Sequence, residues 1–397
     1  MDIDSSIFKA YDIRAIYPTQ LDEKKLVPII QAIYQFFTQT IAQDRQLTIV
    51  LGRDMRISGL SLFEVAKQTL LDCGAHVIDV GLVSTPSFYY SVYNEGYDAG
   101  IQITASHNPK EYNGIKFVRN TGEGLVKIGK STGMEDIKTM AISEVTIDKK
   151  FDGQVTSRTD IISDEVTDAL GLIDNMELQK FKVVADTANA MGATYIEPLF
   201  ERIDSELVKM NFELDGTFPV HQPDPLDFNN LKDLQKKVLE EKANFGLAPD
   251  GDGDRLFFID EKGQVVPATI ITAIISKLLL SETPGSTILF DIRYIFTPRK
   301  IVEENNGKYQ ITKVGHAYIT ESLTQTGGIF GGESSAHYFY KSNGNAESQL
   351  TTIVYVMKVL TDSGKTLSEL VEEYRRSYES GEINYRVSNA KEILETL

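Results

Sequence analysis

The sequence predicts an α/β protein made of three consecutive related units, each a mixed sheet flanked by helices. Three observations carry this. Leu47-Thr48-Ile49-Val50-Leu51 is an apolar strand that ends on Gly52-Arg53-Asp54. Lys182-Val183-Val184-Ala185 runs into Asp186, and Thr287-Ile288-Leu289-Phe290 runs into Asp291, so the strand-to-aspartate pattern recurs twice. In the first copy a helix and a returning strand follow, which is the element order of a crossover unit in a layered α/β architecture.

Each element has a local reason. Ser61-Leu62-Phe63-Glu64 has the form of a capping box, in which a hydroxyl and a carboxylate satisfy backbone N–H groups reciprocally. It opens a helix with Leu62, Val65, Ala66, Leu70 and Cys73 as its apolar residues, and Gly74 ends it. His76-Val77-Ile78-Asp79-Val80 returns as a strand, and Ala99-Gly100-Ile101-Gln102-Ile103 is another, buried one. The oily run from Ala268 to Leu280 is too short to span a bilayer and carries Lys277, so it reads as a core helix. Thr366-Leu367-Ser368-Glu369 opens a later helix. Polar stretches set the boundaries at Asp148–Gly153, at Asp260–Gly263 and near Ser380-Gly381. The expected units are residues 1–150, 151–260 and 261–378, with 379–397 left over.

Composition narrows the class of partner. The 397 residues carry 57 acids against 40 bases, a formal charge of −17. Nucleic acids and anionic membranes call for basic patches, so neither is expected as a partner. A phosphorylated small molecule is not excluded, because local charge decides its binding. Cys73 is the only cysteine, which rules out an intrachain disulfide and fits a reducing cytoplasm. The start, Met1-Asp2-Ile3-Asp4, lacks the basic segment of a signal peptide.

Three polar stretches could carry chemistry. In Asp250-Gly251-Asp252-Gly253-Asp254-Arg255 three carboxylates alternate with two glycines before the apolar run Leu256–Ile259. Their mutual repulsion is relieved by a hard, oxygen-seeking cation, and glycine lets the backbone fold around it. The stretch therefore reads as a divalent-metal loop at a strand edge. Its aspartates and Glu261 also match an EF-hand spacing, but Arg255 stands where that loop needs glycine and a strand-like run follows. Thr104-Ala105-Ser106-His107-Asn108-Pro109 continues to Tyr112-Asn113-Gly114-Ile115-Lys116-Phe117 and places a serine just past a strand end. That serine is either a reactive group on an exposed turn or a turn cap. It lacks the small-residue elbow of an esterase. Gly331-Gly332-Glu333-Ser334-Ser335-Ala336-His337 is a pliable polar loop, suited to a ligand with many hydroxyls or to an ordinary connection.

Taken in this order, the three stretches resemble the loops of the α-D-phosphohexomutase superfamily, and within it the bacterial phosphomannomutase/phosphoglucomutase group. Phe8-Lys9-Ala10-Tyr11-Asp12-Ile13-Arg14, Gly52-Arg53-Asp54, Asp215-Gly216-Thr217-Phe218-Pro219 and Gly315-His316 add to the resemblance. It implies an enzyme that interconverts hexose 6-phosphate and hexose 1-phosphate, of mannose or glucose, through a 1,6-bisphosphate. Ser106 would carry the phosphoryl group. Mg2+ would be held by Asp250, Asp252 and Asp254 together with phosphorylated Ser106, and glucose or mannose 1,6-bisphosphate would be the activator. Arg255 would add fixed positive charge. Lys116 is the first candidate base for the attacking hydroxyl and His337 the second. Glu333 and Ser335 would bond the sugar hydroxyls, Tyr11, Arg14, Arg293 and His316 would line the cleft, and His107 would orient the serine loop.

The chain departs from the family pattern at Ala15, Val220 and Arg293, where glycine, asparagine and lysine are common. The larger departure is at the end. Gly381-Glu382-Ile383-Asn384-Tyr385-Arg386-Val387 is similar to the first strand of the family's fourth, phosphate-gripping domain, and Ala390, Ile393, Leu394 and Leu397 then form an apolar helical stripe. This predicts the start of a truncated fourth domain, with impaired turnover in this chain. The expected assembly is a monomer or weak homodimer. The rival readings are a non-catalytic sugar-phosphate-binding protein, a phosphoglucosamine mutase, or a phosphatase if water reaches the phosphoserine.

Overall fold

The computed structural model describes residues 3–42 and 44–381, together with 387, 389, 392 and 393. The strand and helical stripe expected after Gly381 fall outside the described residues apart from those single positions.

Three sheets follow one another along the chain. The first contains β1 (Ile13–Ile16), β2 (Thr48–Arg53), β3 (His76–Leu82), β4 (Ala99–Ile103), β5 (Tyr112–Asn120), β6 (Leu125–Lys127) and β7 (Gln154–Ser157). Its order is β1-β5-β4-β2-β3-β7, with β6 also pairing β5. The second contains β8 (Lys182–Asp186), β9 (Glu206–Met210), β10 (Phe245–Pro249), β11 (Leu256–Asp260) and β12 (Val265–Val266), in the order β12-β11-β10-β8-β9. The third contains β13 (Thr287–Asp291), β14 (Lys308–Thr312), β15 (Phe330–Gly332), β16 (Tyr338–Tyr340) and β17 (Ala346–Glu347), in the order β14-β13-β15-β16-β17.

The three sheets share a pattern. In each, a first strand pairs in parallel with the next two, and the third pairs antiparallel with the fourth. The first strands are β2, β8 and β13, the ones whose aspartate endings mark the repeat in sequence. Asp54, Asp186 and Asp291 each accept, through Oδ1, the backbone N–H two residues on, at 3.0, 3.0 and 2.8 Å. The shared sequence pattern is therefore a shared turn, the side chain capping the end of the strand.

Burial explains the strand compositions. β4, β10 and β11 are buried along their whole length and read as near-continuous apolar runs. The helix Ala268–Glu282 is the expected core helix, buried from Ala268 through Ser276. The second and third sheets share one apolar core through this helix and the helix Gln349–Ser363, while the first sheet has its own. Thr366 and Glu369 form a reciprocal capping box on the helix Leu367–Tyr374. No helix among the described residues is long and apolar enough to cross a membrane.

One helix start differs from expectation. The helix Gly59–Cys73 begins before Ser61, so Ser61–Glu64 is not a capping box. The turn closed by Gly59 N–H on the Arg56 carbonyl starts the helix early, and Ser61 Oγ donates to the Ser58 carbonyl inside the first turn. Gly74 does end the helix, in the left-handed region at φ +93°. Sheet membership also runs past two expected boundaries, since β7 pairs with β3 and β12 with β11.

Candidate active site

All three polar loops are the same connection in the repeat. The serine loop joins β4 to β5, the metal loop joins β10 to β11, and the Glu333–His337 loop joins β15 to β16. Each turns through one left-handed residue: Ser106 at φ +50°, Gly253 at +78° and Ala336 at +67°. At a non-glycine residue that conformation costs free energy, so the surrounding bonds must hold it.

Arg56 holds the serine loop. It is 1% exposed. Its guanidinium donates to the carbonyls of Ser106 (2.7 Å), Asn108 (2.6 Å), Pro109 (2.8 Å) and Tyr112 (2.9 Å), and to Asp54 Oδ2 at 3.2 Å. Asp54 Oδ2 also accepts from Thr104 Oγ1, which in turn accepts the Ser106 N–H. Replacing Arg56 with Met strands four carbonyls and a buried carboxylate. We expect a loss of about 3–5 kcal/mol, the range for breaking a buried charge pair, read as a lowered denaturant midpoint.

The metal loop reaches the serine across the gap between two sheets. Ser106 Oγ donates to Asp250 Oδ2 at 2.9 Å. A Cβ added at Gly251 would lie 2.3 Å from the Ser106 carbonyl oxygen, so only glycine lets the two backbones come this close. Gly251→Ala should push the loops apart and lower turnover about 100-fold, as a misplacement near 1 Å does. A steady-state assay at saturating substrate reads this directly.

Asp250, Asp252 and Asp254 are fully or almost fully buried, and one oxygen of each lies within 4.8 Å of the others. Burial, with the like charges of Asp254 and Asp252, pushes the Asp250 carboxyl up to about 8. Asp252 and Asp254 shift down instead. Burial opposes this, but Lys116 outweighs it, with Thr85 assisting at Asp252 and His337 at Asp254. Lys116 Nζ lies 2.6 Å from Asp252 and 2.5 Å from Asp254. Asp252 Oδ1 is buried with no hydrogen-bond partner among the described residues. Three converging hard oxygen donors, one of them unsatisfied, fit a divalent cation.

The remaining candidates gather around these groups. Arg14 donates to Asp12, to the Ala105 carbonyl and to Asn108 Oδ1, tying β1 to the serine loop. His107 Nδ1 lies 3.2 Å from Ser106 Oγ, and burial beside Arg255 pulls its pKa to about 3, so the ring is neutral. Arg255 N–H donates to Asp250 Oδ1, and its Nε lies 3.3 Å from His337 Nε2. His337 is held between Asp254 (3.2 Å), Glu333 (3.0 Å) and Ser335 (3.1 Å). Burial pulls its pKa down, but Asp254 and Glu333 outweigh this and raise it to about 9. Lys116 is likewise raised well above its ordinary value, Asp252 and Asp254 overcoming burial.

Glu333 Oε1 accepts the Gly315 N–H at 2.8 Å. Tyr11 packs its ring on His316 with centroids 5.4 Å apart, and buried His316 is kept neutral. Arg293 pairs with Asp291 at 2.9 Å and reaches Ser335 Oγ at 3.3 Å. Asp291 also accepts the Ser334 N–H, so the Glu333–His337 loop is anchored as the serine loop is, by the aspartate at the end of its unit's first strand.

Sequence reasoning missed two residues. Arg56 follows Gly52-Arg53-Asp54 by two positions, and its Asp-x-Arg spacing matches Asp291-Ile292-Arg293, a signal that was available. Thr85 starts the helix Thr85–Asn94 and donates to Asp252 twice, by Oγ1 to Oδ2 at 2.6 Å and by its N–H to the carbonyl at 2.9 Å. Nothing local to Thr85 announces that.

A buried serine bonded to one aspartate of a carboxylate triad, where three like units converge, suits chemistry on a phosphorylated ligand. Comparison with known proteins places the chain further. The signatures of phosphoglucomutase/phosphomannomutase α/β/α domains I, II and III match residues 5–139, 164–263 and 268–378, and the chain belongs to this family. It is 32% identical over 395 residues to a phosphomannomutase of Vibrio cholerae, covering 98% of this chain and 84% of that one. It is 34% identical to a phosphomannomutase of Methanocaldococcus jannaschii, covering 99% and 85%. A solved phosphoglucomutase/phosphomannomutase family protein of Burkholderia thailandensis superposes with a TM-score of 0.85 at 28% identity, over 95% of this chain and 81% of that one. The chain is an isomerase of the phosphotransferase kind, acting on hexose phosphates.

Proposed function

We propose that the chain interconverts the 6- and 1-phosphates of mannose or glucose through a phosphorylated Ser106. The observation that carries this is Ser106 Oγ, 2.9 Å from Asp250 in a loop that Arg56 and Arg14 pin. Asp250, Asp252 and Asp254 would hold Mg2+. When bound, the ion supplies positive charge beside the phosphoryl group and draws on the carboxylates that otherwise hold Lys116.

The chain's own residues do the rest. In the first half-reaction the bond from phosphorus to Ser106 Oγ breaks, and a bond to a free sugar hydroxyl forms. That hydroxyl gives up one proton and Ser106 Oγ gains one, so no net proton is consumed. Lys116 is the group proposed to carry this exchange. Arg255 and protonated His337 add fixed positive charge at the mouth of the triad. Glu333 and Ser335 are the proposed partners of the sugar hydroxyls, with Arg293 and His316 beside them. The 1,6-bisphosphate then reorients and returns its other phosphoryl group to Ser106. A related N-acetylphosphoglucosamine mutase of Aspergillus fumigatus, alike in fold, has been crystallised with glucose 1,6-bisphosphate, in keeping with such an intermediate.

The test is turnover of mannose 1-phosphate, glucose 1-phosphate and glucosamine 1-phosphate, with Mg2+ and a catalytic amount of glucose 1,6-bisphosphate. Isomerisation of the first two supports the reading. Preference for the glucosamine sugar would move the substrate class, and release of inorganic phosphate alone would replace mutase by phosphatase. Comparing the rate with that of the Vibrio cholerae relative tests the expectation of impaired turnover in this chain.

A further inference from the structure

The first and third sheets meet at a charged contact outside the loops described above. Lys127, the last residue of β6, and Glu347, the last of β17, are 3% and 0% exposed. Lys127 Nζ donates to both carboxylate oxygens of Glu347, at 2.6 Å to Oε1. The ammonium also sits over the rings of Tyr89, 4.7 Å from its centroid, and Phe339, 5.1 Å from its centroid. Tyr89 is on the helix whose first residue, Thr85, holds Asp252. Phe339 lies two residues beyond His337.

The backbones close on each other at the same place. Leu125 N–H donates to the Gly344 carbonyl at 2.8 Å. A Cβ at Gly344 would lie 2.5 Å from the Tyr93 ring, so this turn is pressed onto the first unit. Glu347 further presents an oxygen within 4.8 Å of Asp254 and His337 ligand atoms. Basic and acidic side chains thus follow one another from Lys127 through Glu347, His337, Asp254 and Lys116 to Asp252, crossing all three units.

A buried ion pair gives up much of its Coulomb attraction to desolvation, so it is a poor device for stability alone. What it can supply is one fixed register between the parts it joins. We propose that Lys127–Glu347 is an interdomain latch, a positioning pair that sets the sugar loop of the third unit against the Ser106 loop of the first. Neither residue is a catalytic residue. They act through His337 and the helix Thr85–Asn94. The inference rests on the mutase reading given above.

Lys127→Met keeps the stem over the two rings but leaves Glu347 unpaired, and Glu347→Gln leaves Lys127 unpaired. The double variant strands no charge, which guards against simple failure to fold. Each variant should lose about 100-fold in kcat, with KM changed less than about threefold, because the loops are intact but misplaced. The double variant should recover the wild-type melting temperature without recovering kcat. A merely structural pair would recover both together, and wild-type kcat in the double variant overturns the proposal. Amide hydrogen exchange at Leu125, read without substrate, should be at least about tenfold faster in all three variants. Unchanged exchange there overturns the latch whatever the activity. An inert wild-type protein with accelerated exchange in the variants would sink the mutase reading and leave the latch standing.

Discussion

Ser106→Ala should lower isomerisation at least about 10³-fold, because without Oγ no residue is left to carry the phosphoryl group between the two half-reactions. Loss of the proposed carrier differs from a loss of binding. The variant should still bind a hexose monophosphate, since Glu333, Ser335 and Arg293 are untouched and the loop is held through backbone carbonyls. Intact-mass measurement after incubation with glucose 1,6-bisphosphate should show a retained phosphoryl group on the wild-type chain and none on the variant. Comparable turnover in the two would remove Ser106 from the mechanism.

The second large effect concerns the triad and pH. Asp250 has a carboxyl raised to about 8 in the fold against an ordinary value of 3.8. A group shifted up in this way binds its proton more tightly when folded. Its contribution to stability is present below the ordinary value and is lost as pH rises through the folded one. Without divalent cation, thermal stability should therefore fall between about pH 4 and about pH 8. Mg2+ binding the deprotonated triad should restore it, more at pH 8 than at pH 5. At a hundredfold excess over Kd the stabilisation is about 2.7 kcal/mol. Thermal melts at both pH values, with Mg2+ and with a chelator, read the difference. An equal effect of Mg2+ at both would mean that Asp250 does not gate the site.

The contrast between what was legible and what was not is physical. The three loops could be read because their chemistry is local: carboxylates alternating with glycine, a serine past a strand end, a histidine four residues from a glutamate. The repeat was visible for the same reason, since the aspartate that ends each first strand caps its own turn. Thr85 and Glu347 were invisible because their meaning lies in partners far along the chain, 167 residues away for Thr85 and Asp252, 220 for Lys127 and Glu347. The misread helix start has the opposite cause. Ser61 to Glu64 carries the right letters, but a turn set by Asp54 and Arg56 starts the helix first.

The equivalence of the three hairpins has a consequence for how such a site diverges. The cleft is a pseudo-trimer folded from a single chain. One hairpin in each copy carries its own set of groups, the first Ser106, the second the aspartate triad and the third Glu333, Ser335 and His337, which in the proposed function serve the nucleophile, the cation and the sugar. These roles sit on separate copies of one scaffold, so the sugar hairpin can be rewritten for a new hydroxyl pattern while the strands beneath it and the other two hairpins stay fixed. Duplication would then have separated the evolution of specificity from that of chemistry. Exchanging Glu333–Ala336 with the same positions of a relative, and keeping the His337 that faces Asp254, should move substrate preference while leaving cation affinity where it was.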